Sequence, residues 1–341
     1  MTERDYMMRC LELAKNGLGT TYPNPLVGSV VVHNGKIIGE GWHQKAGGPH
    51  AEVVAINSVA DASLLEESTL YVNLEPCSHH GKTPPCADLI VSKKIPRVVI
   101  GTADPHEKVA GRGIKRLKEA GIDATWGICE DECHWLNRRF FTFHKLNRPY
   151  VVLKWAESAD GFIAPAHREK TEPFWISNRF SRQLVHKWRT EEQSILTGTN
   201  AVLDDNPMLT ARQWEGKNPI RLVIDRKGRI PAAAHVFDGT VQTIAFSEIS
   251  SFPSNVEFEE INFENTPEEI LDRLATRDIQ SVLIEGGRIT LQSFIDAGLW
   301  DEARIFRSAS MLKSGTRAPE LTGTLVSREL VSGDELLIIR R

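Results

Sequence analysis

The sequence predicts an α/β layer fold in two domains, and three observations carry that expectation. Short apolar runs of strand length alternate with segments of helical period along most of the chain, which is how strands and helices stacked in layers look in sequence. The chain has 341 residues, and at roughly 150 residues per domain that is about two domains, each able to bury its own core. The alternation breaks once, at Phe143-His-Lys-Leu-Asn-Arg-Pro149, where Pro149 cannot continue a helix and Tyr150–Trp155 opens a new strand series. The expected domains are therefore 1–147 and 148–341.

In the first domain a helix from Asp5 to about Lys15 sets Met7, Cys10, Leu11 and Ala14 at helical spacing and stops at Gly17. Val27–Val32 and Ile37–Gly41 are strands joined by Asn34-Gly35, a strong hairpin signal. A helix over His50–Ala60, a strand Thr69–Asn73 and a loop rich in Gly, Pro and His follow. A helix Cys86–Lys94, a strand Arg97–Gly101 and a helix near Gly113–Ala120, closed by Gly121, complete this domain. In the second domain strands are expected at 150–155, 194–197, 220–224, 281–285 and 302–306, with helices at 178–189 and 289–297. The acidic, weakly periodic stretch 248–268 reads as surface structure.

Composition excludes several classes. The formal charge is −4, which argues against a general binder of nucleic acid or of a membrane surface. Residues 1–147 hold 17 basic and 17 acidic side chains, and the remainder hold 24 and 28, so neither half hides a basic domain. No stretch approaches the ~20 apolar residues of a membrane span, and Met1-Thr-Glu-Arg-Asp does not open a signal peptide. A cytoplasmic location is the expectation. There the five cysteines are thiols, and metal binding or catalysis is the question for any that cluster.

Three pieces of the first domain stand out: His50-Ala-Glu52, Glu75-Pro-Cys77 and Pro84-Pro-Cys86. One imidazole and two thiolates supply three ligands to a tetrahedral Zn²⁺ and keep one position for water, as catalytic zinc does. The metal lowers the pKa of that water and supplies hydroxide at neutral pH. Residues two apart in a helix point about 200° apart, so His50 and Glu52 share a pocket only near a helix end, which Gly47-Gly-Pro49 supplies. Cys86 follows two prolines and opens a helix, whose N-terminus is expected to stabilise its thiolate. Glu52 then carries a proton from the water to the substrate and is not a fourth ligand, the arrangement of zinc deaminases. Taken singly, a histidine at a helix start and a cysteine pair in an α/β protein are usually structural; the three pieces in order, each beside prolines, point to a metal. Cys10 is expected in the core. Cys129 and Cys133 with His134 are a second potential metal cluster, but Glu-Asp-Glu lies between the cysteines and a buried pair is the simpler reading.

The second domain has no G-x-G-x-x-G after a strand. It has Ile284-Glu-Gly-Gly-Arg-Ile-Thr290, a strand, a glycine turn and a helix start, which together suit a phosphate. Arg288 and Thr290 add donors.

These motifs resemble those of the bifunctional riboflavin-biosynthesis enzymes, a pyrimidine deaminase fused to a reductase. The segments that carry the resemblance in the first domain are Tyr22-Pro-Asn-Pro-Leu-Val-Gly28, Gly47-Gly-Pro-His-Ala-Glu52, Glu75-Pro-Cys-Ser-His-His-Gly-Lys-Thr-Pro-Pro-Cys86 and Val109-Ala-Gly-Arg-Gly113. In the second they are Leu153–Gly161, Trp175-Ile-Ser177, Ile195–Pro207, Leu209-Thr-Ala-Arg212, Pro219–Asp225 and Glu285-Gly-Gly287. The resemblance implies a cytidine-deaminase-like three-layer α/β/α domain followed by a dihydrofolate-reductase-like α/β domain. It implies zinc-dependent deamination of a diaminopyrimidinone ribosyl phosphate, then NADPH-dependent reduction of the ribosyl group to ribityl, in a homo-oligomer. By resemblance Asn24, His43, His79 and Lys82 contact the deaminase substrate, and a cation such as Lys82 suits a phosphate. Reductase substrate contacts map to Lys154, Arg189, Leu209, Arg212 and Glu285. Cofactor contacts map to Ala156, Trp175, Ala201, Asp205, Gly287, Arg288, Ile289, Thr290, Leu291, Gln292 and Ser293. Asp205 or Lys154 is the expected proton donor, with Arg189 and Arg212 as cations for the phosphate. The chain departs from the family pattern at Pro173, in Glu157–Gly161 and over 306–315. The competing reading is a deaminase of another nucleotide or a polynucleotide with a non-catalytic second domain. It would want a basic face with aromatic stacking positions. A zinc-stabilised, non-enzymatic module would instead show four protein ligands.

Overall fold

The computed structural model describes residues 1–78, 84–105, 111–167, 171 and 173–341 and divides into two compact units, Met1–Asn147 and Arg148–Arg341. The first unit runs α1 (Glu3–Lys15), β1 (Gly28–His33), β2 (Lys36–Trp42), α2 (Ala51–Asn57), β3 (Thr69–Leu74), α3 (Cys86–Ser92), β4 (Arg97–Thr102), α4 (Arg112–Glu119), β5 (Asp123–Trp126), α5 (Glu130–Leu136) and α6 (Arg138–Leu146). Its strands form one sheet in the order β2-β1-β3-β4-β5. The β1–β2 and β1–β3 pairs are antiparallel, and β3, β4 and β5 run parallel.

The two-residue alternation of the strands builds a core on each face of this sheet. Val31, Leu70 and Val72 pack with Ala55 and Ile56 of α2, Ala87 and Ile90 of α3 and Leu117 of α4. Val30, Val32 and Tyr71 face the other way, onto Met7, Cys10 and Leu11 of α1 and Cys133 of α5. The result is three layers. α1 begins at a Thr2/Asp5 capping box. α2 lies unusually close to β2 because Gly39 and Gly41 have no side chains: a Cβ on Gly41 would stand 2.5 Å from the Ala55 nitrogen and 2.8 Å from the Ala51 oxygen. α2 is also shorter than the helix expected over His50–Ala60. Ser58 Oγ donates to the Ala55 oxygen and accepts the Glu40 N–H, which ends the helical ladder there.

The second unit runs β6 (Tyr150–Glu157), β7 (Phe162–Pro165), α7 (Arg179–Glu191), β8 (Ser194–Gly198), α8 (Thr199–Asp205), β9 (Ile220–Ile224), β10 (Thr243–Ser247), β11 (Val256–Glu260), α9 (Thr266–Thr276), β12 (Ser281–Ile284), α10 (Arg288–Asp296), β13 (Glu302–Arg307), β14 (Gly315–Arg317), β15 (Thr324–Val331) and β16 (Asp334–Arg340). Nine strands make one sheet, β11-β10-β9-β8-β12-β6-β13-β16-β15, and β7 pairs with β14 separately. From β11 to β13 neighbouring strands are parallel, while β16 is antiparallel to both β13 and β15. α9 and α10 cover one face with Ile270, Leu274, Leu291 and Phe294; α7 and α8 cover the other with Val185, Trp188 and Val202. Parallel strands buried on both faces bring all their C-terminal ends to one edge, where α/β sheets bind ligands.

The stretch 248–268 is less featureless than its sequence suggests. It contributes the edge strand β11 and a 3-10 turn over Phe263–Asn265. Two of the departures noted above, in 157–161 and 306–315, hold each other. The Asp160 carboxylate accepts the Ser158 hydroxyl and the backbone N–H groups of Leu312 and Lys313, and Ala159 N–H donates to the Ser310 oxygen. No helix among the described residues is long and apolar enough to cross a membrane.

Candidate active sites

His50 is the residue before α2, and its side chain does not cap the helix. Its Nδ1 instead faces Cys77 Sγ at 3.5 Å and Cys86 Sγ at 3.3 Å. The three ligand atoms lie within 4.8 Å of one another, and this is the one such group of His, Cys, Asp or Glu among the described residues. A tetrahedral zinc with sulfur at ~2.3 Å and nitrogen at ~2.0 Å separates those donors by about 3.5 Å, so the trio fits the ion as it stands. Glu52 lies outside the trio. It sits in the first turn of α2, 3% exposed. Burial, with the Cys77 thiolate adding to it, pushes its carboxyl up to about 7 before any metal charge is counted.

The thiolate preference expected of Cys86 belongs to Cys77. Cys86 opens α3 as expected, but its backbone N–H donates to Cys77 Sγ at 3.3 Å, and Ala87 N–H donates to the Cys77 oxygen. The helix terminus thus acts on the sulfur of the other cysteine. The Cys86 thiol, this backbone donor and His50 bring Cys77 down to about 4, and Cys86, bonded to that thiolate and buried, is raised.

Asn24 and His43 meet beside this trio. Asn24 Nδ2 is 3.0 Å from His43 Nε2, His43 Nδ1 is 3.0 Å from the Pro49 oxygen, and the His43 ring stands edge-on to His50 with centroids 5.6 Å apart. The network assigns the proton to His43 Nδ1, and burial holds the ring below its usual pKa. Asn24 therefore donates to His43 and keeps its amide oxygen for another partner. His79 and Lys82 lie outside the described residues.

Several supporting residues were not anticipated. Glu75, buried, accepts four backbone N–H groups: Asp104 and Gly111 on Oε2, Gly113 and Ile114 on Oε1. It thereby ties the start of α4 to the turn that carries Cys77, where Gly113 has no room for a side chain against the Pro76 oxygen. Asn73 and Asn137, both buried, hold the segment after Asn24: Asn73 bonds Gly28 N–H and the Leu26 oxygen, and Asn137 bonds both backbone groups of Leu26. Asn73 had a signal, an amide inside an apolar strand; Asn137 had none. The second potential metal cluster does not form. Cys133 is in the core, Cys129 takes a bond from Arg4, and His134 Nε2 is 2.8 Å from the Thr102 hydroxyl.

In the second unit the C-terminal ends of β6, β12, β8 and β9 open into a cavity of about 910 Å³. Lys154, Ala156, Trp175, Arg189, Ala201, Asp205, Leu209, Arg212, Glu285, Gly287, Arg288, Ile289, Thr290 and Ser293 all line it. Leu291 and Gln292 do not. On the first turns of α10, Leu291 turns into the core, and Gln292 bonds Asp296 and the backbone of Glu320. At the floor Glu285 takes two bonds from Arg189, Nε at 2.8 Å and Nη2 at 3.0 Å, with Lys154 Nζ at 3.4 Å. These cations outweigh the cost of burial and hold its carboxyl down to about 2. Arg189 also donates to the Thr210 oxygen, so its charge is committed. Arg212 has no carboxylate partner among the described residues. His186, also on the wall, is driven down to about 4 by burial and then by Arg189 and Arg212, and so is neutral at pH 7. Gly287 precedes α10 with no side-chain cap, and nothing stands within 4 Å of where its Cβ would be. This open, uncapped helix start is what an anionic cofactor needs.

Comparison with known proteins covers both units. Residues 1–102 match the cytidine and deoxycytidylate deaminase zinc-binding region, and residues 149–332 match the RibD C-terminal domain. The riboflavin biosynthesis protein RibD of Aquifex aeolicus is 37% identical over 94% of this chain and 90% of its own. That of Bacillus amyloliquefaciens is 41% identical over 94% and 87%. Among solved structures, a diaminohydroxyphosphoribosylaminopyrimidine deaminase/5-amino-6-(5-phosphoribosylamino)uracil reductase of Thermotoga maritima is 39% identical and superposes with a TM-score of 0.91, covering 99% of this chain and 98% of that one. RibD of Acinetobacter baumannii superposes at 0.88 with 34% identity and the same coverage.

Proposed function

The chain belongs to the RibD family of riboflavin biosynthesis proteins, and from that premise we propose which of its residues perform the two reactions. It is a bifunctional enzyme that deaminates a diaminopyrimidinone ribosyl phosphate with zinc and then reduces the ribosyl group to ribityl with NADPH. Residues 1–147 carry the deaminase and 148–341 the reductase. The observation that carries the first assignment is the convergence of His50 Nδ1, Cys77 Sγ and Cys86 Sγ beside a buried carboxylate that is not one of them.

His50, Cys77 and Cys86 hold the zinc. When bound, the ion supplies a strongly acidified water as nucleophile at neutral pH. Glu52 accepts the water's first proton on a carboxylate oxygen and delivers it to the ring nitrogen, then takes the second proton from the hydroxyl added to the carbon and delivers it to the departing amine, which leaves as ammonia. Asn24, fixed by His43, offers its amide oxygen to the pyrimidine, and His79 and Lys82 complete the contacts. In the reductase, NADPH supplies the hydride. Arg212 is the cation available to the substrate phosphate, whereas Arg189 and Lys154 are organised by Glu285. Lys154 stands at the reaction centre with a counter-ion that stays charged, in position to donate a proton, with Asp205 the other candidate donor. Leu209 packs against the substrate. Ala156, Trp175, Ala201, Gly287, Arg288, Ile289, Thr290 and Ser293 frame the cofactor.

Two coarser properties follow. The five cysteines are all unpaired thiols, which suits a reducing compartment and supports a cytoplasmic location. β15 is an exposed edge strand with Leu330 at 79% exposure, which supports a homo-oligomer; light scattering on the eluted protein tests this, and a monomer rejects it. The functional assignment is tested by Glu52→Ala. Ammonia release should vanish while bound zinc and NADPH oxidation with the deaminated intermediate persist; continued ammonia release would refute the role of Glu52.

A further inference from the structure

We infer that Asn178 and Asp334 are positioning residues of the reductase: they lock the tip of the β15–β16 hairpin to the first turn of α7 and so hold in place the wall of the cavity that Trp175 provides. This rests on the reading that Trp175 faces the cofactor in the cavity of the second unit. Trp175, Ile176 and Ser177 line that cavity, yet they belong to no helix or strand, and Trp175 is 54% exposed. Among the described residues, the hydrogen bond that fixes this stretch comes from Arg182, which donates to the Ser177 oxygen at 3.0 Å and lies over the Trp175 ring, 4.6 Å from its centroid. Arg182 is in the first turn of α7. The wall is therefore placed only as well as the start of that helix.

The start of α7 is fastened twice. Asn178 caps it, its Oδ1 accepting the Phe180 and Ser181 N–H groups. The same side chain turns its Nδ2 to the hairpin and donates to the Val331 oxygen at 2.7 Å and the Ser332 oxygen at 3.2 Å. Asp334 returns the link: Oδ2 accepts the Asn178 N–H at 2.7 Å and the Ser181 hydroxyl at 2.6 Å. Asp334 is buried, and no cation among the described residues pairs with it, an arrangement that is unfavourable unless its hydrogen bonds are kept. Capping alone does not require it, because Asn178 already serves the free N–H groups. What Asp334 adds is a fixed separation between the helix start and a hairpin 156 residues away in sequence. The hairpin suits an anchor. Ser332 and Gly333 take φ of +50° and +99°, as in the two-residue turns that match strand twist, and β16 is paired on its other side with β13 in the sheet.

Asn178→Asp separates this role from helix capping. Aspartate caps as well as asparagine, but it has no Nδ2 to donate and meets the Val331 and Ser332 oxygens and Asp334 with a negative charge. The wall is then in place for only part of the time. Apparent affinity falls by that fraction, while the assembled complex reacts as before. KM for NADPH should rise roughly fivefold to thirtyfold with kcat held within about twofold. Ammonia release should not change, and Asp334→Ala should act in the same direction. Acrylamide quenching of tryptophan emission should increase in Asn178→Asp, and the increase should vanish in a Trp175→Phe background. A KM for NADPH within about twofold of wild type in Asn178→Asp, a loss confined to kcat, or a quenching change that survives Trp175→Phe overturns the assignment. If Trp175→Ala leaves the KM for NADPH unchanged, the reading of Trp175 falls and takes this one with it; if Trp175→Ala raises it and Asn178→Asp does not, only this one falls.

Discussion

Replacing Glu285 with glutamine tests the electrostatics of the reductase floor quantitatively. The change keeps the shape and removes the charge that faces Arg189 and Lys154. The carboxyl is displaced from an ordinary 4.5 to about 2, and each pKa unit is worth about 1.4 kcal/mol, so the ionised group contributes about 3 kcal/mol to folding at neutral pH. The sign follows from a depressed pKa. The contribution is fully present above pH ~4.5, where the unfolded carboxyl is also ionised, and is lost as pH falls towards 2. By the same linkage a little under half of it remains at pH 3. Urea unfolding of wild type and Glu285→Gln across pH 3–7 reads the difference directly. It should be about 3 kcal/mol at pH 7, consistent with leaving two buried cations uncompensated, and should shrink by about half at pH 3. A difference that stays flat across this range, or one below about 1 kcal/mol at pH 7, would refute the reasoning.

Three further changes report on other parts of the molecule. Gly41→Ala drives a methyl into the backbone of α2, 2.5 Å from the Ala55 nitrogen; it should cost about 1–3 kcal/mol and reduce zinc retention and ammonia release while NADPH oxidation is unaffected, measured on one preparation. Glu75→Ala strips the acceptor from four backbone N–H groups and should destabilise the first unit by about 3 kcal/mol or more, seen as an earlier unfolding transition. Arg212→Ala should raise KM for the phosphorylated reductase substrate by roughly tenfold to a hundredfold and leave a dephosphorylated analogue unaffected; equal effects on both would remove Arg212 from the phosphate site.

Legibility in the sequence followed the kind of constraint each residue obeys. His50, Cys77 and Cys86 were readable because metal chemistry restricts residue type, and the prolines and glycines around them mark helix starts. The assignment of the low-pKa thiol was not readable, since it depends on which sulfur the first N–H of α3 meets in space. α5 and α6 are interrupted at Asn137, whose side chain serves the Leu26 backbone, so the helical period is broken by a tertiary role. β15 shows no alternation because nearly all of it is exposed, and it gave no strand signal. Leu291 and Gln292 fall within a motif that predicts proximity to a ligand, but a helix turns about 100° per residue and takes those two side chains away from the cavity. The buried pairing of Glu285 with Arg189 joins residues 96 positions apart, a juxtaposition that only the parallel sheet creates.

X-ray absorption at the zinc edge, combined with metal content per chain, tests the central claim most directly. One zinc per chain bound by one imidazole nitrogen, two sulfurs and one further light donor is the predicted result, unchanged in Glu52→Gln. A zinc-free protein, a coordination shell without two sulfurs, or a shell that loses a donor in Glu52→Gln would contradict it.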